Sequence, residues 1–321
     1  MSITMLHGKA LPIGVLSLNP ALDMTYEIPH LLEDQKVHAV ATRFDPGGNG
    51  INVGRALKRL DTMAMNYCVT GGAIGQFLKR LLAEQLDGED YEEVPGETRI
   101  NGTFIERSPR VQYEVSGLGP EIPPSQLNEL LGRFVEHSVQ GFGVLTGTMQ
   151  ESLPPTLYAD LTQRINARGG KVVVDAHTDS LRYAIDAHPF LIKPNLYELE
   201  TMLGRPLAGI EAIAAEARAL QKQGVEYVCV SMGDDGALLV GPDNTYHAAA
   251  PAIIVRSSVG AGDSMVAALV AGFAHGINPQ EALRLAVACA AGTVSQPGTE
   301  LFSEQDVSDY LDKIVVLTLD V

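Results

Sequence analysis

Short apolar segments of strand length alternate with segments of helical period along most of the chain, and this alternation restricts the fold more than any other feature. Ile13 to Leu18 reads as a strand, Ile51 to Leu60 as a helix, Ala64 to Thr70 as a strand, Gly75 to Gln85 as a helix and Val144 to Thr146 as a strand. A helix near Pro155 to Ala167 follows, then the strands Lys171 to Asp175 and Phe190 to Lys193, the latter feeding a helix over Asn195 to Leu203. An Ala-rich helix from Ile210 to Gln223 leads into the strand Tyr227 to Ser231. Gly236 to Val240 reads as its hairpin partner, and helices from Asp263 and Pro279 complete the series. Strand and helix in turn specify an α/β protein with a mainly parallel sheet covered on both faces. With 45% hydrophobic residues and no internal repeat, low-complexity tract or Gly/Ser linker, residues 1–321 read as a single domain.

Two stretches break the alternation. Asp23 to Asp45 and Thr98 to Val115 carry period-two segments, Thr25-Tyr26-Glu27-Ile28 and Val111-Gln112-Tyr113-Glu114-Val115. They predict antiparallel strands set apart from the core, a small lid over about 23–45 and 98–116. The acidic run between Asp87 and Glu93 reads as a solvated loop.

A formal net charge of −16 opposes broad attraction to nucleic acid or to anionic lipid, so neither is an expected partner. The longest apolar run, Met265 to Ala274, is about half of the ~20 residues that cross a bilayer. Met1 to Ala10, with His7 and Lys9, lacks the apolar region of a secretory signal, which points to the cytoplasm. Cys68, Cys229 and Cys289 each lie in an apolar run without metal or redox spacing, and read as reduced, buried thiols.

The glycine-rich segments do not fit a dinucleotide fingerprint. The sixth position is Val53 after Gly48-Asn49-Gly50 and Met265 after Gly260-Ala261-Gly262, and no Walker loop, zinc-protease helix or nucleophile elbow is present. Phosphoryl transfer needs backbone N–H groups aimed at developing negative charge and a base beside the accepting hydroxyl. Gly260, Ala261, Gly262 and Asp263 can supply both, because the glycines permit a tight turn and the following helix adds the positive end of its dipole. Asp263 can equally be a helix cap. Asn195 and Glu198 form either a capping box or a carboxylate–amide pair that organises water around magnesium. Ser231-Met232-Gly233-Asp234-Asp235-Gly236 is a hairpin turn whose glycines would also let a nucleotide approach.

In order along the chain, these pieces resemble the ribokinase-like sugar kinases of the phosphofructokinase B type. The two signatures are similar to Asp45-Pro46-Gly47-Gly48-Asn49-Gly50-Ile51-Asn52-Val53-Gly54-Arg55-Ala56 and to Ser258 through Val266. Ile192-Lys193-Pro194-Asn195 with Glu198, and Val230-Ser231-Met232-Gly233 with Gly236, resemble the magnesium and nucleotide segments. The resemblance covers nearly the whole chain. It implies a three-layer α/β/α core, the β-sheet lid, and a homodimer paired through that lid. It implies Asp263 as base, with the amides from Gly260 to Asp263 holding the transferring phosphoryl group of ATP. Lys193, Asn195, Ser231, Gly233 and Gly236 would bind the nucleotide, and Glu198 would bind Mg2+ through water. Asp23, Gly48 and Asn52 would meet the sugar, and backbone carbonyls near Ser257 and Val259 would hold K+.

Within that family the chain looks most like kinases of phosphorylated hexoses: minor-type 6-phosphofructokinase, 1-phosphofructokinase and tagatose-6-phosphate kinase. Lys36 and Arg99 stand where such enzymes place cations for the second phosphate, each from its own lid strand. Asn49 departs from the Lys common in the latter two signatures and favours fructose 6-phosphate as substrate. Glu114 and His38, both at positions where Arg is expected, pull the other way. The reading of another class is a sensor that keeps the pocket without the chemistry; the intact Asp263 and its flanking glycines speak against it.

Overall fold

The computed structural model describes residues 6, 8–108 and 110–320. Most of the segment read for a leader, Met1 to Met5 and His7, lies outside the described residues. Ten strands form the main sheet in the order Val316–Leu319, Thr245–Ala248, Ala237–Val240, Tyr227–Ser231, Leu191–Ile192, Lys171–Asp175, Phe142–Thr146, Ile13–Ser17, Met65–Thr70, Gly88–Glu93. From Gly88–Glu93 to Tyr227–Ser231 every pairing is parallel; the three beyond are antiparallel.

Successive side chains of a strand point to opposite faces, so one buried strand serves two cores. Val15 packs with helices Asn49–Arg59, Ala261–Ala274 and Pro279–Val294, whereas Leu16 packs with Pro124–Ser138, Leu157–Asn166, Thr178–Asp186 and Gly209–Lys222. All three cysteines are buried, and burial raises their thiol pKa values, that of Cys68 and of Cys229 to about 12.

A second sheet of four strands, Ala41–Gly47, Ala21–Ile28, Arg99–Arg107 and Arg110–Val115, forms the expected lid. Its central pair is parallel, with Ala21 opposite Arg99, and not antiparallel as the period-two pattern suggested. The cause is topological. Both strands leave the main sheet from the carboxyl ends of strands that are themselves parallel, so they enter the lid in the same direction.

The acidic run corrects a second expectation. Gly88–Glu93 is not a loop but the edge strand beside Met65–Thr70. Arg133 pairs with Asp90 and Glu92, and Lys79 with Glu93, and such charge on an edge opposes pairing with another chain. The structure also forms helices Pro124–Ser138, Thr178–Asp186 and Glu304–Leu311 and strands Thr245–Ala248 and Val316–Leu319, which the alternation above does not include.

Helix Asn49–Arg59 approaches the sheet through Gly50 and Gly54. A Cβ at Gly50 would stand 2.8 Å from the Leu16 carbonyl oxygen, and one at Gly54 1.9 Å from Asn66 Oδ1. By contrast, a Cβ at Gly132 in helix Pro124–Ser138 would meet nothing within 4 Å. Gly50→Ala is expected to destabilise the protein by about 1–3 kcal/mol, as overpacking does. Gly132→Ala is expected to stabilise it by about 0.5–1 kcal/mol through the unfolded chain. Urea unfolding of the two variants checks both signs.

Candidate active site

Parallel strands bring their carboxyl ends to one edge of the sheet, where ligands of open α/β folds bind. Ser17, Thr146, Asp175 and Ser231 end their strands at this edge, and Lys193 directly follows Leu191–Ile192. Onto the same edge the chain delivers the amino end of helix Ala261–Ala274. Gly260 precedes it at φ 79°, a left-handed conformation suited to glycine. The first intrahelical bond runs from Ser264 N–H to Gly260, and the earlier amides have no acceptor within the helix.

Asp263, in the first turn, is buried. Its Oδ1 accepts a hydrogen bond from Asn49 Nδ2 at 3.0 Å and its Oδ2 one from Asn52 Nδ2 at 2.9 Å. The carboxylate is therefore turned toward helix Asn49–Arg59 and bonds to two carboxamides, instead of capping its own helix. Burial raises its pKa to about 6; nearby Asp175 adds to the rise, while the two amides and Lys193 oppose it.

The Asn52 amide is oriented in turn by buried Arg55, whose Nη1 donates to Asn52 Oδ1 at 3.3 Å and to the carbonyls of Pro46 and Thr299. Burial lowers the Arg55 pKa to about 10, which still leaves a cation at neutral pH. Lys193 is buried and paired with Asp175 at 3.1 Å. Its Nζ lies 3.4 Å from where a Gly262 Cβ would stand, which sets a cation against the first helical turn.

Asn195 and Glu198 do form a capping box, each side chain bonded to the other's backbone N–H at 2.8 Å. Glu198 also pairs with His177. Ser231 bridges to Asn195, and Gly233 and Gly236 adopt positive φ in the turn that follows, so the segments that the resemblance assigns to the nucleotide are neighbours in space. Val259 N–H donates to Ser257 Oγ, while the amides of Arg256 and Ser257 bond to the carbonyl of Val294.

On the lid side, Asp23 is the third residue of strand Ala21–Ile28, and its Oδ1 accepts from Asn101 Nδ2 at 2.8 Å. Burial raises its pKa to about 6, against the lowering effects of Asn101 and Arg99. Arg99 donates to the Asn19 carbonyl at 3.1 Å and to Ser116 Oγ at 3.0 Å. With Asn49, Gly48, Ser17, Gly147 and Thr148 it lines the cleft between lid and core.

Lys36 corrects the pairing expected from the sequence. It lies on no lid strand but in the exposed loop 29–40, and it makes no hydrogen bond or ion pair among the described residues. The period-two pattern ends at Pro29, and the segment that follows forms no strand, its charges and its Leu31, Leu32 and Val40 side chains lying exposed.

Residues that sequence reasoning missed are Asp175, Arg55, Asn101 and His177, together with the bond from Asn49 to the Asp263 carboxylate. The position of Asp175 at the end of an apolar strand was the one available signal.

The pattern of the pfkB family carbohydrate kinases matches residues 16–306, and the chain belongs to that family. It is accordingly a carbohydrate kinase with a ribokinase-like core, and the sensor reading falls away. It is 34% identical over 311 residues to the 1-phosphofructokinase of Bacillus subtilis (strain 168), covering 96% of this chain and all of that protein. It superposes on phosphofructokinase-2 from Escherichia coli in complex with substrates and products with a TM-score of 0.90, at 28% identity over 94% of this chain and 99% of that one. The same enzyme in complex with fructose-6-phosphate gives 0.88 at 27% identity, over 94% and 99% of the two chains.

Asp263→Asn should lower turnover by about a hundredfold or more. The same variant should be more stable at pH 8. The native pKa of about 6 exceeds the ordinary 3.8, so the folded state binds more protons than the unfolded between these values, and stability falls as pH rises through that window. The variant's gain should disappear below pH 4, as thermal melts at the two pH values will report.

Proposed function

We propose that the chain phosphorylates fructose 1-phosphate with ATP, giving fructose 1,6-bisphosphate and ADP. The observation that carries this reading is the full-length similarity to 1-phosphofructokinases, at 28 to 34% identity over 88 to 96% of this chain. This moves the substrate from the fructose 6-phosphate favoured by the sequence to its alternative. Asn49, which argued for the 6-phosphate, is bonded to Asp263. Its identity therefore bears on the carboxylate as much as on any sugar phosphate.

Both fructose phosphates offer a primary hydroxyl at one end of the ring and a phosphate at the other, and both give the same product. Asp263 takes the proton of that hydroxyl while the oxygen attacks the γ-phosphorus in line, and the bond to the ADP oxygen breaks. The amides from Gly260 to Asp263 and the Lys193 ammonium meet the charge that develops on the transferred group. Asp23 and Asn101 face the ring hydroxyls together with Gly48 and Asn52, while Arg99 holds the phosphate already present.

Among the described residues no cluster of three or more His, Cys, Asp or Glu could cage a metal. Mg2+ would be held by nucleotide phosphates and water, with Glu198 as an outer carboxylate beside Asn195. Bound there, Mg2+ would neutralise charge on the phosphates. Phosphofructokinase-2 from Escherichia coli has been crystallised in complex with potassium, which supports the same ion near Ser257 and Val259 here. Tyr113 and Val115 on lid strand Arg110–Val115, and Leu31, Leu32 and Val40 in the loop joining two lid strands, leave apolar surface exposed, which supports a dimer through the lid.

Steady-state assays with each sugar test the reading: kcat/KM should be at least about tenfold higher for fructose 1-phosphate than for fructose 6-phosphate. The reverse preference would overturn it. Charge-assisted bonds to phosphate are worth about 1.5–3 kcal/mol, so Arg99→Ala should raise the KM for the sugar phosphate about ten- to a hundredfold and that for ATP little. Gln112→Ala, a neutral change on the same lid, should do neither.

A further inference from the structure

Asn49 stands where two functions meet. Its side chain lines the cleft under the lid, and its amide nitrogen reaches Asp263 at 3.0 Å. Its placement is constrained from two sides. Gly48 before it takes φ 103°, and Gly147 leaves room for the amide, since a Cβ there would lie 3.1 Å from Asn49 Oδ1 and 3.2 Å from Asn49 Cβ. With Oδ1 toward Gly147, the NH2 group is the end that faces the carboxylate.

The groups around Asp263 come from three segments of the chain. Asn49 and Asn52 project from helix Asn49–Arg59, with Arg55 behind Asn52. Asp175 ends its strand and repels the carboxylate, while Lys193 attracts it, and these two are paired with each other. The charges of that pair act in opposite directions on Asp263, so the direct bonds to its oxygens come from uncharged amides. Asn52 takes one oxygen and is locked by Arg55. Asn49 takes the other, and its side chain also lines the cleft under the lid.

We propose that Asn49 is a positioning residue for Asp263: it fixes the second carboxylate oxygen, keeps the group ionised before substrate arrives, and transmits to it the charge of whatever occupies position 49. This rests on the reading of Asp263 as base, and it adds a residue through which that base is tuned from the sugar side. A donor removed from a buried carboxylate favours the protonated form, a carboxylate set beside it favours that form more, and a cation favours the ionised form. The order of substitutions is thereby fixed.

The direct test is a 13C NMR titration of aspartate carboxyl carbons in the ligand-free protein, with Asp263→Asn assigning the resonance. Relative to the native protein, the Asp263 midpoint should move up by about one pH unit in Asn49→Ala and further in Asn49→Asp, and down in Asn49→Lys. A hydrogen bond to a charged group is worth about 1.5–3 kcal/mol and one pH unit is 1.36 kcal/mol, which sets that scale. Asp at the first turn of a helix is favourable, so Asn49→Asp retains the fold where Asn49→Ala loses a contact. The acidic limb of kcat/KM should shift in the same order, with thermal melts recorded alongside. Equal Asp263 midpoints in Asn49→Ala and Asn49→Asp would overturn the proposal, whatever happens to stability. A native enzyme that uses neither fructose phosphate would instead overturn the substrate reading, and the NMR series would still decide the role of Asn49.

Discussion

The Asp263 carboxylate is buried with no cation bonded to it among the described residues, and much of the surrounding architecture follows from having to keep that charge. An ionised carboxyl group taken out of water is costly unless donors replace its hydration. Two carboxamides do so here, and both come from one helix. That helix can reach the carboxylate because Gly50 and Gly54 let its backbone lie directly on the strands. Arg55, one turn beyond Asn52, then fixes which end of the Asn52 amide faces the carboxylate. The first signature of the sequence is thus as much a support for the carboxylate in the second as a wall of the cleft under the lid.

The same reasoning explains the company this carboxylate keeps. Lys193 and Asp175 are both buried and neutralise one another at 3.1 Å, so they bring field direction and little net charge to the first turn of helix Ala261–Ala274. A lone cation bonded to Asp263 would have held it ionised more firmly and lowered its pKa. Amide donors permit a pKa near neutrality, close to what proton transfer at physiological pH favours.

How far the sequence could be read depended on whether a residue's role is local. Ser258 through Val266 was legible because a glycine turn and an apolar helix are adjacent in sequence, and the strands around Val15, Val173 and Val228 were legible from their uninterrupted apolar runs. The base reading of Asp263 over the cap needed a family resemblance, since its partners lie more than 200 residues away. Asp175 was hidden because pairing with Lys193 depends on strand order. Lys36 was misplaced because a charged loop between two lid strands has no period of its own to mark it. The edge strand Gly88–Glu93 looked like solvated loop for a related reason. Its outward charges meet Lys79 and Arg133 on neighbouring helices, which composition alone does not disclose.

The parallel pairing at the centre of the lid bears on how the molecule assembles. Asp23 and Asn101, which meet across that pair, are 78 residues apart in the chain. No hairpin can nucleate such a contact. Closing a loop of that length costs entropy that is recovered only when the intervening strand Met65–Thr70 and helices Asn49–Arg59 and Gly72–Leu82 have packed. The lid is therefore a late product of folding and not a module that could be excised or grafted. A chain still emerging from the ribosome would carry Ala21–Ile28 as an unsatisfied edge until Arg99–Arg107 arrived to cover it.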